Sequence, residues 1–276
     1  FDENFKILDY KVTGSLEKVD LEFSKEIVIN KTNFNFFVEN EVIKLDSIFA
    51  FYKGIPINEG KINIERKKEI VVDGSIFLEL KEDYNIINTF SKLKKNSLLS
   101  NFSEIKGKVI NQFNLVLSKS LELKNYNYTI EANLNSFKFK PNKKIKNDFL
   151  KKDIKQVFFE KTKIKADLSK ANKKRTVDVN GFYKTNNDDK FKEFKVQNSF
   201  NKNSLNFNLN LNFDNKINFD LINYYKNNNI IGNIEAEISV FKNKTVIKKI
   251  LLKEKKNNIL IKGLELNKNN SIKKLK

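Results

Sequence analysis

The 276-residue chain contains no cysteine, histidine, methionine or tryptophan. Without cysteine there is no disulfide, no thiolate metal site and no thiol nucleophile. Without histidine the commonest general base and the commonest metal ligand are both missing. A complete translation product begins with methionine, so a chain that has none is expected to be a piece of a longer protein. Proline occurs only twice, and the eight glycines are isolated, so no GxxxxGK or GxGxxG phosphate loop is present. Arginine is confined to Arg66 and Arg175, and its planar fork is the usual tool for gripping bases and phosphates. The formal charge of +19 therefore rests almost wholly on lysine. Lys, Asn, Ile and Phe share codons made mostly of A and T. A gene rich in those bases gives the lysine excess without a polyanion, and no nucleic-acid partner is expected. No apolar run approaches the roughly 20 residues of a membrane helix. The longest is Ile48-Phe49-Ala50-Phe51-Tyr52, and no signal peptide is visible.

What the sequence does have is alternation. In residues 204–221, Leu205, Phe207, Leu209, Leu211 and Phe213 take every second position, and Asn206, Asn208, Asn210 and Asn212 fill the gaps. Successive strand side chains point to opposite faces, so this pattern builds an apolar wall backed by amides. After Asp214-Asn215-Lys216 the pattern resumes with Ile217, Phe219 and Leu221, which predicts an antiparallel hairpin over 204–221. The same theme runs through the chain. Ile70, Val72, Ile76, Leu78 and Leu80 share a phase, as do Ile230, Ile234, Ala236, Ile238 and Val240. Residues 5–23 read as two strands, because Tyr10, Val12 and Leu16 fall on one parity and Val19, Leu21 and Phe23 on the other. Ile43 and Leu45, then Phe49 and Phe51, read as one strand with an irregularity near Asp46-Ser47.

Two stretches depart from the pattern. Ile86, Ile87, Phe90 and Leu93 are spaced as a helical stripe, predicting a helix over 83–99. Ile145, Phe149, Ile154 and Phe158 allow a short helix over about 142–157, after Pro141. Gly14, Gly74, Gly107, Gly181 and Gly232 each sit inside a strand pattern on the apolar phase, the place for bends on the concave side of a curved sheet. No linker composition marks a domain boundary, so 1–276 is expected to be a single continuous segment.

About fifteen strands do not stay flat; open sheets beyond ~10 strands curl, split or flatten. The expected fold is mainly β: an elongated, strongly curved antiparallel sheet forming a groove, or β-gutter, with one or two short helices. The apolar phase would line the inside, with Leu205, Phe207, Leu209, Leu211, Phe213, Ile217, Phe219 and Leu221 joined by Ile70, Val72, Ile76, Leu78, Ile234 and Ile238. Such an interior is too wide for side chains alone to fill, and acyl chains suit it.

Three passages strengthen this expectation: YKVTGSLEKVDLEF from Tyr10, IFAFYKGIPINEGKINIER leading into EIVVDGSIFLEL, and GNIEAEISVFKNKTVIKKILLKEKKNNILIKGLEL from Gly232. An aromatic-Lys-Gly connection followed by Gly60, and strands with a central glycine, resemble the AsmA-like family of TamB- and YhdP-type envelope proteins. The resemblance implies a periplasmic β groove, anchored in the inner membrane outside this piece, that carries phospholipid between inner and outer membrane components. It implies no catalytic residues and no cofactor.

No other chemistry asserts itself. Asp188-Asp189 reads as a solvated pair, and Asp153, Glu160 and Asp167 read as surface among lysines. Ser91 and Lys94 have Ser-xx-Lys spacing but fall on the polar face of the expected helix. Lys143, Lys144 and Lys146, and Lys173, Lys174 and Arg175, are basic clusters suited to anionic headgroups or to plain turns. No metal site is expected. The alternative to lipid carriage is a β-rich envelope scaffold with a self-buried core. An outer-membrane barrel, whose strands run roughly 9–11 residues, suits many short strands and a mid-chain helix poorly.

Overall fold

The structure, a computed structural model, describes residues 9–24, 27–52, 54–81, 101–142, 144, 153–201, 203–219, 224–227, 230–255, 257–268 and 271–274. Every regular element among them is a strand. In chain order these are β1 (Lys11–Ser24), β2 (Ile27–Glu39), β3 (Val42–Tyr52), β4 (Ile55–Ile57), β5 (Glu59–Arg66), β6 (Ile70–Leu80), β7 (Phe102–Leu117), β8 (Leu123–Phe139) and β9 (Val157–Ser169). They continue as β10 (Lys174–Thr185), β11 (Lys192–Phe200), β12 (Ser204–Phe213), β13 (Ile217–Phe219), β14 (Tyr224–Lys226), β15 (Gly232–Phe241), β16 (Lys244–Glu254), β17 (Asn257–Asn267) and β18 (Ile272–Lys274).

Fifteen strands hydrogen-bond in one antiparallel path, β1-β2-β3-β5 through β12, then β15 to β18, with β4 branching off β3. The path is open, with β1 at one edge and β18 at the other, so the sheet is not a closed barrel. At a strand spacing of about 4.8 Å it runs roughly 65–70 Å from edge to edge. Nearly every step is to the next strand in sequence, so the chain advances along the sheet as it zigzags across it.

The register places the apolar phases of all these strands on one face. Leu209 stands opposite Val196 and Ala236, Val196 opposite Val179, and Val179 opposite Ile164. The line continues through Ala132 and Val109 to Leu78. Where the sequence changes parity, the backbone inserts one residue instead of breaking the strand. In β1 the slip from Leu16 to Val19 is a bulge at Lys18, in αL (φ 56), whose N–H donates to Asn33 Oδ1 at 2.6 Å. Lys31 (φ 49) does the same in β2, donating to Asp20 Oδ1 at 2.8 Å. Residues 11–24 are therefore one bulged strand and not two. Long strands such as the 17-residue β8 carry irregularities of the same kind, with register shifts against β7 between Leu134 and Lys138. Bulges bend and twist the strand that carries them, and they curve the sheet.

The bulge at Ser47 (φ 52) also changes which residues of β3 face inward. Ile48, Ala50 and Tyr52 turn to the apolar face, while Phe49 and Phe51 meet edge-to-face on the other. Residues 204–221 likewise differ from the expected hairpin. β12 pairs with β11 and β15, and β13 instead pairs with β14 in a separate two-stranded sheet. A long cross-strand interface with β15 outcompetes a three-residue return strand.

The expected helix at 83–99 lies outside the described residues. So does most of 142–157, of which Val157 already belongs to β9, as does Phe158. Among the described residues no helix is long and apolar enough to cross a membrane.

Four of the five strand glycines face a Phe across the ladder: Gly14 and Phe36, Gly74 and Phe113, Gly181 and Phe194, Gly232 and Phe213. At Gly14, Gly74 and Gly232 that ring lies where a Cβ would be, 2.6, 2.3 and 2.6 Å from it. The ladder runs unbroken through Gly14 and Gly74, and each accepts a ring there. Gly107 and Gly181 do coincide with register shifts. At Gly107 (φ 150) a Cβ would meet Asn133 O at 2.4 Å and Leu134 Cα at 2.6 Å, both backbone. Gly107→Ala is expected to destabilise the fold by roughly 2–4 kcal/mol, read as a fall in the urea midpoint. Gly54→Ala strains only its own φ of 84°, with nothing within 4 Å, and should cost about 1 kcal/mol.

Candidate functional site

The candidate site is the apolar face together with the segments that overhang it. Ile70, Val72, Ile76, Leu78, Leu205, Phe207, Leu209, Leu211, Ile234 and Ile238 all lie on this face and are half-buried, and Phe213 is buried. Val12, Leu16 and Phe200 on the same face are exposed. No second layer covers it among the described residues: strands make their substantial contacts with ladder neighbours, apart from β4 against β6. The clusters on it form side by side, as with Leu134 and Phe137 against Val109, Phe159 and Ile164 of the flanking strands. A row of rings from β7, β8, β9 and β11 spans five strands near one margin, Phe102–Phe137–Phe159–Phe194, at centroid distances of 5.9, 4.5 and 5.4 Å.

The opposite face is polar and knits itself together. Asn233 Nδ2 donates to Asn210 and Asn212 Oδ1, both at 2.7 Å. Glu235 takes Lys249 and Lys253 at 3.0 and 2.5 Å, and these ammonium groups hold its carboxyl below the usual range. Lys144, from one of the basic clusters, pairs with Asp153.

The two margins of the sheet are unlike. Along one, strands are joined by turns of two to five residues at 40–41, 67–69, 118–122, 170–173, 201–203, 242–243 and 268–271. Every longer connection lies on the other margin: 53–58, 81–101, 140–156, 186–191 and 214–231. Of these, the described parts of 53–58 and 214–231 lean over the apolar face, joined by Ile154. β4 brings Ile55 and Ile57, both buried, over Tyr52, Ile76, Leu78 and Phe113, beside an open hollow of about 360 Å³.

The connection after β12 does more. Ile217, expected on the groove wall, sits instead on β13 and packs down on Phe213 and Leu252, with Tyr224, Ile234 and Ile259 around them. Phe219 belongs to the same short strand, and Leu221 lies outside the described residues. Under this hairpin is a second cavity of about 360 Å³, walled by Leu211, Ile234, Ile250, Leu252, Ile259 and Ile261. Its polar end carries Tyr183, Thr185, Asp188 and Asn215.

A buried ionic cluster fastens the hairpin to the sheet. Asp188 is not solvated: its side chain is 1% exposed and its Oδ1 lies 2.8 Å from Lys192 Nζ, which also reaches Asp214 at 2.5 Å. Asn215 Nδ2 donates to Asp188 Oδ1, and the Thr185 N–H and hydroxyl donate to Oδ2. Burial alone would raise the Asp188 pKa, but Lys192 and these donors bring it below the ordinary value. Lys226, wholly buried, donates to Asn215 O and Asn227 O and stands 4.9 Å from the Phe213 ring. Burial lowers its pKa, against the pull of Glu254 and Asp214. Tyr224 donates to buried Glu254 at 2.5 Å, and burial and that contact push its phenol up. The only sequence signal for this cluster is Asp188 and Lys192 four residues apart.

No family model, curated protein or solved structure matches this chain.

Because the Asp188 pKa lies below its unfolded value of about 3.9, its stabilisation is complete above that value and is lost as pH falls through the lower, folded one. Acid unfolding followed by circular dichroism should therefore show a component below pH ~4 that Asp188→Asn removes. Lys192→Met leaves two carboxylates without their ammonium and is expected to cost roughly 3 kcal/mol or more, measured by denaturant unfolding.

Proposed function

We propose that the chain is a non-enzymatic segment of a bridge-like lipid-transfer protein, carrying phospholipid acyl chains along its apolar face. The observation that carries this is a single apolar face running over fifteen strands with no second layer on it among the described residues, apart from the overhangs of β4 and β13–β14. A face of that extent left in water forfeits about 25 cal/mol for each Å² of apolar area, so it calls for a cover. Hydrocarbon chains fit because they need no directional contacts: each buried CH₂ gains about 0.8 kcal/mol wherever it lies along the face. Tails slide from strand to strand while headgroups stay at the margins in water. The resemblance to AsmA-like proteins supports the same reading and would place the segment in the cell envelope, between inner and outer membranes.

Native mass spectrometry of the detergent-free protein, followed by organic extraction, tests this directly. Phospholipid is expected at a reproducible ratio. Leu209→Asp puts a charge in the middle of the apolar face and should sharply reduce that ratio, whereas Asn208→Asp, one residue away on the polar face, should leave it unchanged. A folded, lipid-free protein that takes up no added phospholipid would favour a scaffold whose face is covered by protein.

A further inference from the structure

The cavity beneath β13 differs from the rest of the apolar face. It is enclosed on the sheet side by branched aliphatic side chains and roofed by Ile217 and Ile154. Its one polar end is already satisfied within the protein. Asp188 is matched by Lys192, Thr185 and Asn215, and the Tyr183 hydroxyl donates to Asn212 O at 2.8 Å. No polar group is left there to recognise a headgroup, and a polar ligand atom placed inside would lose its water without gaining a partner. The volume, about 360 Å³, lies near the small end of ligand pockets, which run ~300–1,000 Å³. It suits part of one chain and is too small for a whole two-tailed lipid.

We infer that this cavity is a binding site for the end of a single hydrocarbon chain, with the β13–β14 hairpin as its fixed roof. A chain lying along the open face would run beneath Ile217 and stop against the Asp188–Lys192 pair, its headgroup remaining outside. This deepens the lipid reading of the apolar face but stands or falls separately from it. The chain end could belong to a free fatty acid or to one tail of a phospholipid, and the two sources are distinguishable.

The test uses the full chain and two probes: cis-parinaric acid, whose fluorescence rises on burial, displaced by palmitate; and vesicles of palmitoyl-oleoyl phosphatidylglycerol. One high-affinity parinarate per protein is expected. Ile250→Phe and Ile261→Phe, both half-buried on the cavity wall, should each weaken it about tenfold by displacing a few methylenes. Val72→Phe, on the same face but outside the cavity, should not. Hydrogen exchange on the unmutated protein guards against variants that fold badly: palmitate should slow exchange at 213–217 and 250–261. Palmitate protection without phospholipid uptake would uphold the cavity and sink the transfer function. Phospholipid uptake with unchanged binding in both Phe variants, and no added protection at 213–217, would overturn the cavity and leave the transfer function standing. Protection by phosphatidylglycerol as well as palmitate would assign the site to a phospholipid tail, and by palmitate alone to a free fatty acid.

Discussion

Everything in this protein depends on keeping one parity of side chains on one face for the whole length of a fifteen-strand sheet. A slip of one residue moves a strand's entire apolar set to the other side. The chain does not avoid such slips. It absorbs them with αL bulges at Lys18, Lys31, Ser47, Glu104 and Lys161, all of them non-glycine residues in a conformation that side chains disfavour. The freed backbone N–H groups at Lys18 and Lys31 are taken up by Asn33 and Asp20. Those side-chain acceptors make the bulges part of the ladder, so the curvature they impose is built in residue by residue.

A curved sheet with no second layer among the described residues must also stabilise itself sideways. The Gly–Phe pairs are one device for this. A glycine removes the Cβ that would lift the neighbouring ring away, and the ring then reaches over the glycine's own backbone. The row from Phe102 to Phe194 is another, linking strands through ring contacts instead of through a facing sheet. Both stabilise the face while leaving it open, which a sandwich core cannot do.

The strands and their common face were legible in the sequence because period-two alternation is a local signal repeated in each strand; that the sheet stays open is seen only in the strand order. The inward set of β3 was not, because a parity change looks the same whether a strand ends or bulges; only the ladder, with Ile48 against Gly60, distinguishes them. The pairing of residues 204–221 was missed for a related reason. Asp214-Asn215-Lys216 has turn chemistry, yet the choice of partner rests on ten residues of β15 that are distant in sequence. The ionic cluster was the least visible. Asp188, Lys192, Asp214, Lys226 and Glu254 are ordinary surface residues until three separate connections bring them to one margin.

That margin explains why buried charge is tolerated in a protein with so little core. Alone, Lys192 or Asp188 would be expensive to remove from water; together, with Asp214, Asn215 and Thr185 completing their shells, they form a nearly self-sufficient unit. Apolar side chains would hold the hairpin down equally well, but they would also extend the apolar face into its roof. A satisfied ionic wall ends the apolar path at a definite place. The short-turn margin has no such overhang among the described residues, so the two margins are unlike: one roofed and anchored by the ionic cluster, the other open.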